Sequence, residues 1–157
     1  MRPTLPTTGV DLAALALRYV HHPDDWPFAP RFDPVQRWYA RLAVAADHEV
    51  WLLTWLPGQS TDLHDHGGSA GAFAVLSGVL TEHTVAPGTR PALVPAPQPA
   101  GAVRAFGPRH VHRIVNAGDR QAVSVHAYAP ALRSMTRYRL DGSGLGVVAE
   151  ERAGEDW

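Results

Sequence analysis

The chain predicts an all-β domain, a sandwich or small barrel, with short helices at its N-terminal end. Three observations predict it. From His48 onward, short apolar runs recur at regular spacing and are separated by turn residues. Glycine and proline together supply 28 of 157 residues (14 each), which suits a turn-rich β fold and is too few for a disordered chain. Helical periodicity is confined to the first third. A chain of this length suits one domain over 1–157, and buries roughly 68–70% of its unfolded surface. The division expected is a helical segment over 1–37 and a β core over 38–150.

In the N-terminal segment, Thr8 and Asp11 are candidate caps for a helix in which Leu12, Leu15, Ala16 and Tyr19 recur at helical spacing. Asp33 before Pro34 reads as a second helix start, with Val35, Trp38, Tyr39 and Leu42 on one face. The same stretch also reads as a helix giving way to a strand near Trp38.

The β signals follow in order. HEVWLLTWLP is a buried strand ending at Pro57 and Gly58. AFAVLSG and VLTEHTV predict a hairpin around Ser77 and Gly78. Residues 86–100 are Pro-rich and predict an exposed loop with at most a short edge strand. GAVRAFG, HVHRIVN and QAVSVHAYAP are three further strands, with a turn at NAGDR. SMTRYRL and LGVVAEE carry weaker strand signals.

Composition excludes several function classes. Net charge is −1, which argues against a nucleic-acid or membrane-surface footprint. There is no cysteine, hence no disulfide framework, zinc ribbon or thiol nucleophile. All 14 basic residues are arginine, so lysine Schiff-base chemistry is excluded. No stretch reads as a membrane span or secretory signal, and a cytoplasmic protein, monomeric or a small homo-oligomer, is expected. The G-x-S-x-G pattern at Gly67, Ser69 and Gly71 matches a hydrolase elbow on paper, but a strand rather than a helix follows it.

The histidines carry the chemistry. His64 and His66 stand one residue apart in TDLHDHGGSAGAF, so on a strand they point to one face. His112 lies on a later strand, with His110 before it and Asn116 after it. Three imidazoles from two distant segments suit a first-row divalent metal with open positions, whereas a closed zinc site usually takes a fourth ligand. Ser124, His126 and Tyr128 alternate along one further strand face.

Residues 58–78 resemble the first cupin motif, from Gly58 through His64, His66 and Gly71 to Gly78, with Gly71 where most cupins carry a glutamate ligand. Residues 101–116 resemble the second motif at His112 and Asn116, with Gly107 and Arg109 in place of the usual Pro and Gly. LHDHGGSAG, VHRIVN and SVHAYAP together are similar to the cysteine dioxygenase family, bacterial type, over about residues 38–130. That resemblance implies a cupin jelly roll binding Fe(2+) through His64, His66 and His112. It implies that small-molecule thiol and O2 are the reactants, with L-cysteine converted to its sulfinic acid. It also implies that Ser124, His126 and Tyr128 form the family's Ser-His-Tyr relay. YAR at 39–41 is similar to the family's Tyr-x-Arg segment, which assigns Tyr39 and Arg41 to the substrate, Arg41 to its carboxylate. Relatives that prefer 3-mercaptopropionate look like they carry glutamine there. Some relatives crosslink a cysteine at the position of Gly71 to the tyrosine matched by Tyr128; without cysteine, Tyr128 stays a free phenol.

The missing carboxylate makes chemical sense. Three neutral imidazoles leave a divalent ion its full charge, which favours an anionic sulfur ligand. Thiol to sulfinic acid removes four electrons from sulfur, and O2 accepts four, so no further reductant is needed. Two alternatives stand beside cysteine oxidation: the same reaction on another thiol acid such as 3-mercaptopropionate, and a non-catalytic metal- or small-molecule-binding cupin.

Overall fold

The computed structural model describes residues 9–153. Among these residues are one α-helix and eleven strands in two antiparallel sheets. The strands are β1 (Tyr39–Val44), β2 (Glu49–Trp55), β3 (Leu63–His64), β4 (Ala70–Ser77), β5 (Val79–Ala86), β6 (Ala92–Pro99), β7 (Val103–Phe106), β8 (His112–Val115), β9 (Ala122–Ala129), β10 (Ser134–Asp141) and β11 (Gly144–Arg152). One sheet has the order β1-β2-β9-β4-β7 and the other β11-β10-β3-β8-β5-β6. The two sheets face one another, with the buried His64, His66, His112 and His126 between them.

Helix α1 (Leu12–His21) starts where the sequence predicts, and the Asp11 side chain accepts from the Ala14 amide at 3.0 Å. Thr8 lies outside the described residues. The helix buries Leu12, Leu15, Ala16 and Val20 against the outer face of the five-stranded sheet, on Val50, Leu52, Ala72, Ala74, Val123, Val125 and Ala127. The alternate residues of those strands point inward: Leu53 and Trp55 from β2, Phe73 and Val75 from β4, meeting Leu80 and Ile114 of the other sheet. Strands β2, β4 and β9 are thus buried on both faces, which is why they read as nearly unbroken apolar runs. Fully buried Phe73 and Leu52 each stabilise the fold by about 1.5–3 kcal/mol.

Three expectations need correction. The second helix does not form: Asp33 Oδ1 accepts from the Val35 and Gln36 amides in a local turn, and the chain enters β1 at Tyr39. Pairing with β2 from Tyr39 to Val44, broken only by a bulge at Leu42, outweighs the helical spacing of Val35, Trp38 and Leu42. AFAVLSG and VLTEHTV are not a hairpin either. β4 pairs with β7 and β9, β5 with β6 and β8, and the chain changes sheets at Gly78. Gly78 has φ +76°, and a Cβ there would lie 2.7 Å from the Ala122 Cβ, so only glycine turns this corner. The Pro-rich stretch, finally, contains the eight-residue strand β6 at a sheet edge. Pro95, Pro97 and Pro99 share one parity along it, so the N–H groups they lack would have faced the free edge rather than β5.

Candidate active site

His64 and His112 are direct partners across the β3–β8 pairing. Strand β3 is only two residues long, so strand alternation does not aim His66. A tight loop does: the Ser69 amide donates to the His66 carbonyl at 3.1 Å, and Gly67 and Gly68 take positive φ. Asp65, between the two histidines, fastens that loop. Its Oδ1 accepts from the Gly67 and Thr136 amides, both at 3.0 Å, and its Oδ2 accepts from the Tyr138 hydroxyl at 2.7 Å.

The three imidazoles converge, each offering one nitrogen within 4.8 Å of the others. Hydrogen bonds select the nitrogen. Nδ1 of His64 is held by the Asp62 carbonyl at 2.8 Å, and Nδ1 of His112 donates to Glu82 Oε2 at 2.8 Å. Both therefore keep the Nε2 lone pair free. Both ring nitrogens of His66 are buried with no hydrogen-bond partner in the protein. Such an orphaned buried polar group costs about 1–3 kcal/mol unless something binds it. Burial, and then mutual repulsion, keeps the three rings neutral: His64 is lowered to about 3, His66 well below its usual value, and His112 is lowered despite its bond to Glu82. Three converging neutral imidazoles, one of them without a partner, fit a divalent transition metal.

Gly71 does not leave an empty place for a fourth ligand. A Cβ there would lie 2.5 Å from Phe106 Cζ and 3.0 Å from Tyr128 Cδ1. The aromatic rings occupy the space that a glutamate side chain would need.

A cavity of about 280 Å3 opens beside His64 and His112. It lies at the small end of ligand cavities, about 300–1,000 Å3, and so matches a small substrate. The five-stranded sheet supplies its opposite wall. Ser124, His126 and Tyr128 all point inward from β9, as their spacing predicts, and all are buried. Ser124 Oγ lies 2.8 Å from His126 Nε2 and accepts from Trp55 Nε1 at 2.8 Å. The His126 and Tyr128 rings are 6.5 Å apart between centroids. Burial pushes the Tyr128 phenol up, well past neutral pH, and holds His126 well below its usual value.

Tyr39 lines this cavity; Arg41 does not. The two share a strand face, but Arg41 sits two residues further along, over the Trp51 ring and 3.7 Å from Glu49, with its side chain 51% exposed. Two arginines line the cavity, Arg37 and Arg137, and Arg37 is the more buried of them. Its guanidinium lies over the Trp55 ring, and its Nε is buried without a hydrogen-bond partner. Burial lowers its affinity for a proton, opposed by Tyr128, Tyr39 and Asp62. Arg37 and Glu82 belong to the site although neither falls in its sequence motifs. Signals for both existed. Arg37, Tyr39 and Arg41 have strand parity, and Glu82 shares parity with the core residue Leu80 in VLTEHTV. At the cavity mouth Arg137 bridges Asp62 at 3.0 Å and Glu151 at 2.8 Å.

Comparison with known proteins agrees with this geometry. The family model of cysteine dioxygenase type I matches residues 8–140. Among solved structures, the chain resembles a conserved protein with a double-stranded β-helix domain from Klebsiella pneumoniae, with TM-score 0.56 and 19% identity over 76% of this chain and 90% of that one. It also resembles an RmlC-like cupin from Desulfovibrio desulfuricans, with TM-score 0.53 and 21% identity over 69% and 95%. A sugar phosphate isomerase of the cupin superfamily from Silicibacter pomeroyi gives TM-score 0.54 and 20% identity over 85% and 92%. At these identities the likeness shows the cupin fold. No curated protein matches the chain.

Proposed function

Because the chain belongs to the cysteine dioxygenase type I family, we propose that it adds both atoms of O2 to the sulfur of a small thiol carboxylate, L-cysteine first among them. The observation that carries this reading is a convergent three-histidine site, two of whose rings, His64 and His112, line the same small cavity as Arg37. We propose Fe(2+) as the metal, held by His64, His66 and His112. When bound, it would supply a Lewis acid for the thiolate and a redox partner for O2.

The residues of the chain do the rest. Three neutral ligands leave the metal's charge uncancelled, so the site favours an anionic sulfur over a neutral one. Arg37 offers a planar fork to the substrate carboxylate, and its desolvated charge gains most from an anion. Trp55, stacked beneath the guanidinium, fixes its plane. Tyr128 keeps its proton and so remains a hydrogen-bond donor toward the reacting sulfur and oxygen atoms. Ser124 and Trp55 fix the ring of His126, and His126 forms the wall beside the phenol. Trp51, Leu53 and Ile114 line the cavity and limit the water around the substrate. The overall change balances: a thiol and one O2 give one sulfinic acid, with four electrons leaving sulfur and four entering oxygen.

A non-catalytic binding cupin needs neither a protonated buried tyrosine nor an aromatic-backed arginine in the same cavity. The test is isotopic. Protein loaded with Fe(2+) and supplied with cysteine under oxygen-18 gas is expected to yield cysteine sulfinic acid carrying two labelled oxygens by mass spectrometry. Product with one label, or none, contradicts the proposal.

A further inference from the structure

Glu82 is fully buried in the wall of the barrel, and three donors converge on it. Arg104 Nε reaches Oε1 at 2.8 Å, while His112 Nδ1 and His110 Nε2 reach Oε2 at 2.8 Å and 3.1 Å. Burial alone would push this carboxyl up, but the three donors outweigh it and keep Glu82 ionised. His110 has a second contact. Its ring stacks on Phe106, with centroids 4.8 Å apart and planes 20° apart. The Phe106 ring in turn stacks on His66, also at 4.8 Å and with planes 27° apart. From His110, then, one path runs through Glu82 to His112, and another through Phe106 to His66.

We propose that Glu82 and His110 are positioning residues for the metal site, Glu82 orienting His112 through its Nδ1 and His110 holding both Glu82 and the Phe106–His66 stack. This rests on the reading of His64, His66 and His112 as the ligands. His64 has a backbone carbonyl to orient it. His112 has only a side chain, and the torsions of that side chain are fixed by what donates to it. A carboxylate behind an imidazole also strengthens that ring as a ligand, and losing such a partner weakens metal binding 10- to 100-fold in characterised sites. Glu82, His110 and His112 also stand close enough together to suggest a second cation site. Arg104 argues against it, because a guanidinium already occupies Oε1 and repels a second cation.

The test is an anaerobic titration of metal-free protein with Co(II), reading stoichiometry, dissociation constant by chelator competition, and the ligand-field spectrum. Wild type is expected to bind one equivalent. Glu82→Gln is expected to bind 10- to 100-fold more weakly with an altered spectrum, its fold confirmed by circular dichroism. His110→Phe keeps a ring on Phe106 and loses only the donor, with an expected loss of roughly 2- to 10-fold, below that of Glu82→Gln because Arg104 still holds the carboxylate behind His112. Its ring is near the surface, so it decides the matter alone if Glu82→Gln does not fold. Wild-type affinity and spectrum in the folded variants overturn the proposal and leave the three-histidine reading intact. A second equivalent bound by wild type overturns it in favour of a cation site at Glu82. No Co(II) bound by wild type overturns the ligand reading, and this inference with it.

Discussion

The guanidinium of Arg37 lies over the indole of Trp55, 4.9 Å from its centre. The same indole donates to Ser124, so one ring joins this cavity arginine to the hydroxyl behind His126. Arg41, four residues on, stands outside this arrangement.

The first prediction separates the two arginines. Arg37→Gln is expected to raise KM for cysteine roughly 10- to 150-fold, the equivalent of about 1.5–3 kcal/mol for hydrogen bonds to a charged group. Metal content should be unchanged. Arg41→Ala is expected to leave KM within about twofold, since the Arg41 side chain is half-exposed and lies outside the cavity. Steady-state kinetics with both variants decides it, and the opposite ranking would return the carboxylate to Arg41.

Gly71 gives a second prediction, one of packing. Gly71→Ala is expected to destabilise the fold by about 1–3 kcal/mol, because its methyl group enters the Phe106 ring. Phe106→Ala should suppress most of that added cost. Denaturant melts of the two single variants and the double variant measure the coupling; additive costs would show that the rings do not fill the site.

Tyr128→Phe keeps the ring and removes the donor. The turnover number is expected to fall roughly 100- to 1,000-fold, the usual cost of losing one well-placed donor to developing charge. Bound metal, measured by elemental analysis, should stay at the wild-type level. Loss of metal instead would make the phenol a support for the ligands.

A fourth prediction concerns pH. Burial holds His126 well below the ordinary value of 6.5 in the fold, so the unfolded chain binds a proton that the folded chain does not. Stability of the metal-free protein therefore falls as pH drops below 6.5, with this group contributing a slope of about 1.4 kcal/mol per pH unit. Above 6.5 the group contributes no slope. His126→Gln is expected to reduce the acid-side slope by about 1.4 kcal/mol per pH unit, with His64, His66 and His112 keeping their own contributions, as read by urea melts between neutral and mildly acidic pH. An unchanged slope would mean that the ring is protonated in the fold.

Much of this was legible in the sequence. Period-two alternation placed Ser124, His126 and Tyr128 on one inward face of β9, and His64, His66 and His112 were legible as a set, although the Gly67–Gly68 loop rather than strand alternation aims His66. What was not legible depends on contacts between distant segments. Whether 33–44 is helix or strand turns on pairing with β2, and with it goes the choice between Arg37 and Arg41. Gly78 reads as a hairpin turn until the neighbouring Ala122 is known. Glu82 looks like an ordinary strand residue until His110, His112 and Arg104 fold onto it from three other positions. Prolines in β6 disfavour a strand in general, and only their shared parity at an edge permits one.

Thiol dioxygenation at the three-histidine site can be followed as the consumption of O2. The most direct measurement is O2 uptake by protein loaded anaerobically with Fe(2+), offered cysteine and 3-mercaptopropionate separately, with sulfinate quantified alongside. One O2 is expected to be consumed per thiol converted, with cysteine ahead of 3-mercaptopropionate and no uptake by a His112→Ala variant. Metal bound at one equivalent with no O2 uptake on either thiol would contradict thiol dioxygenation.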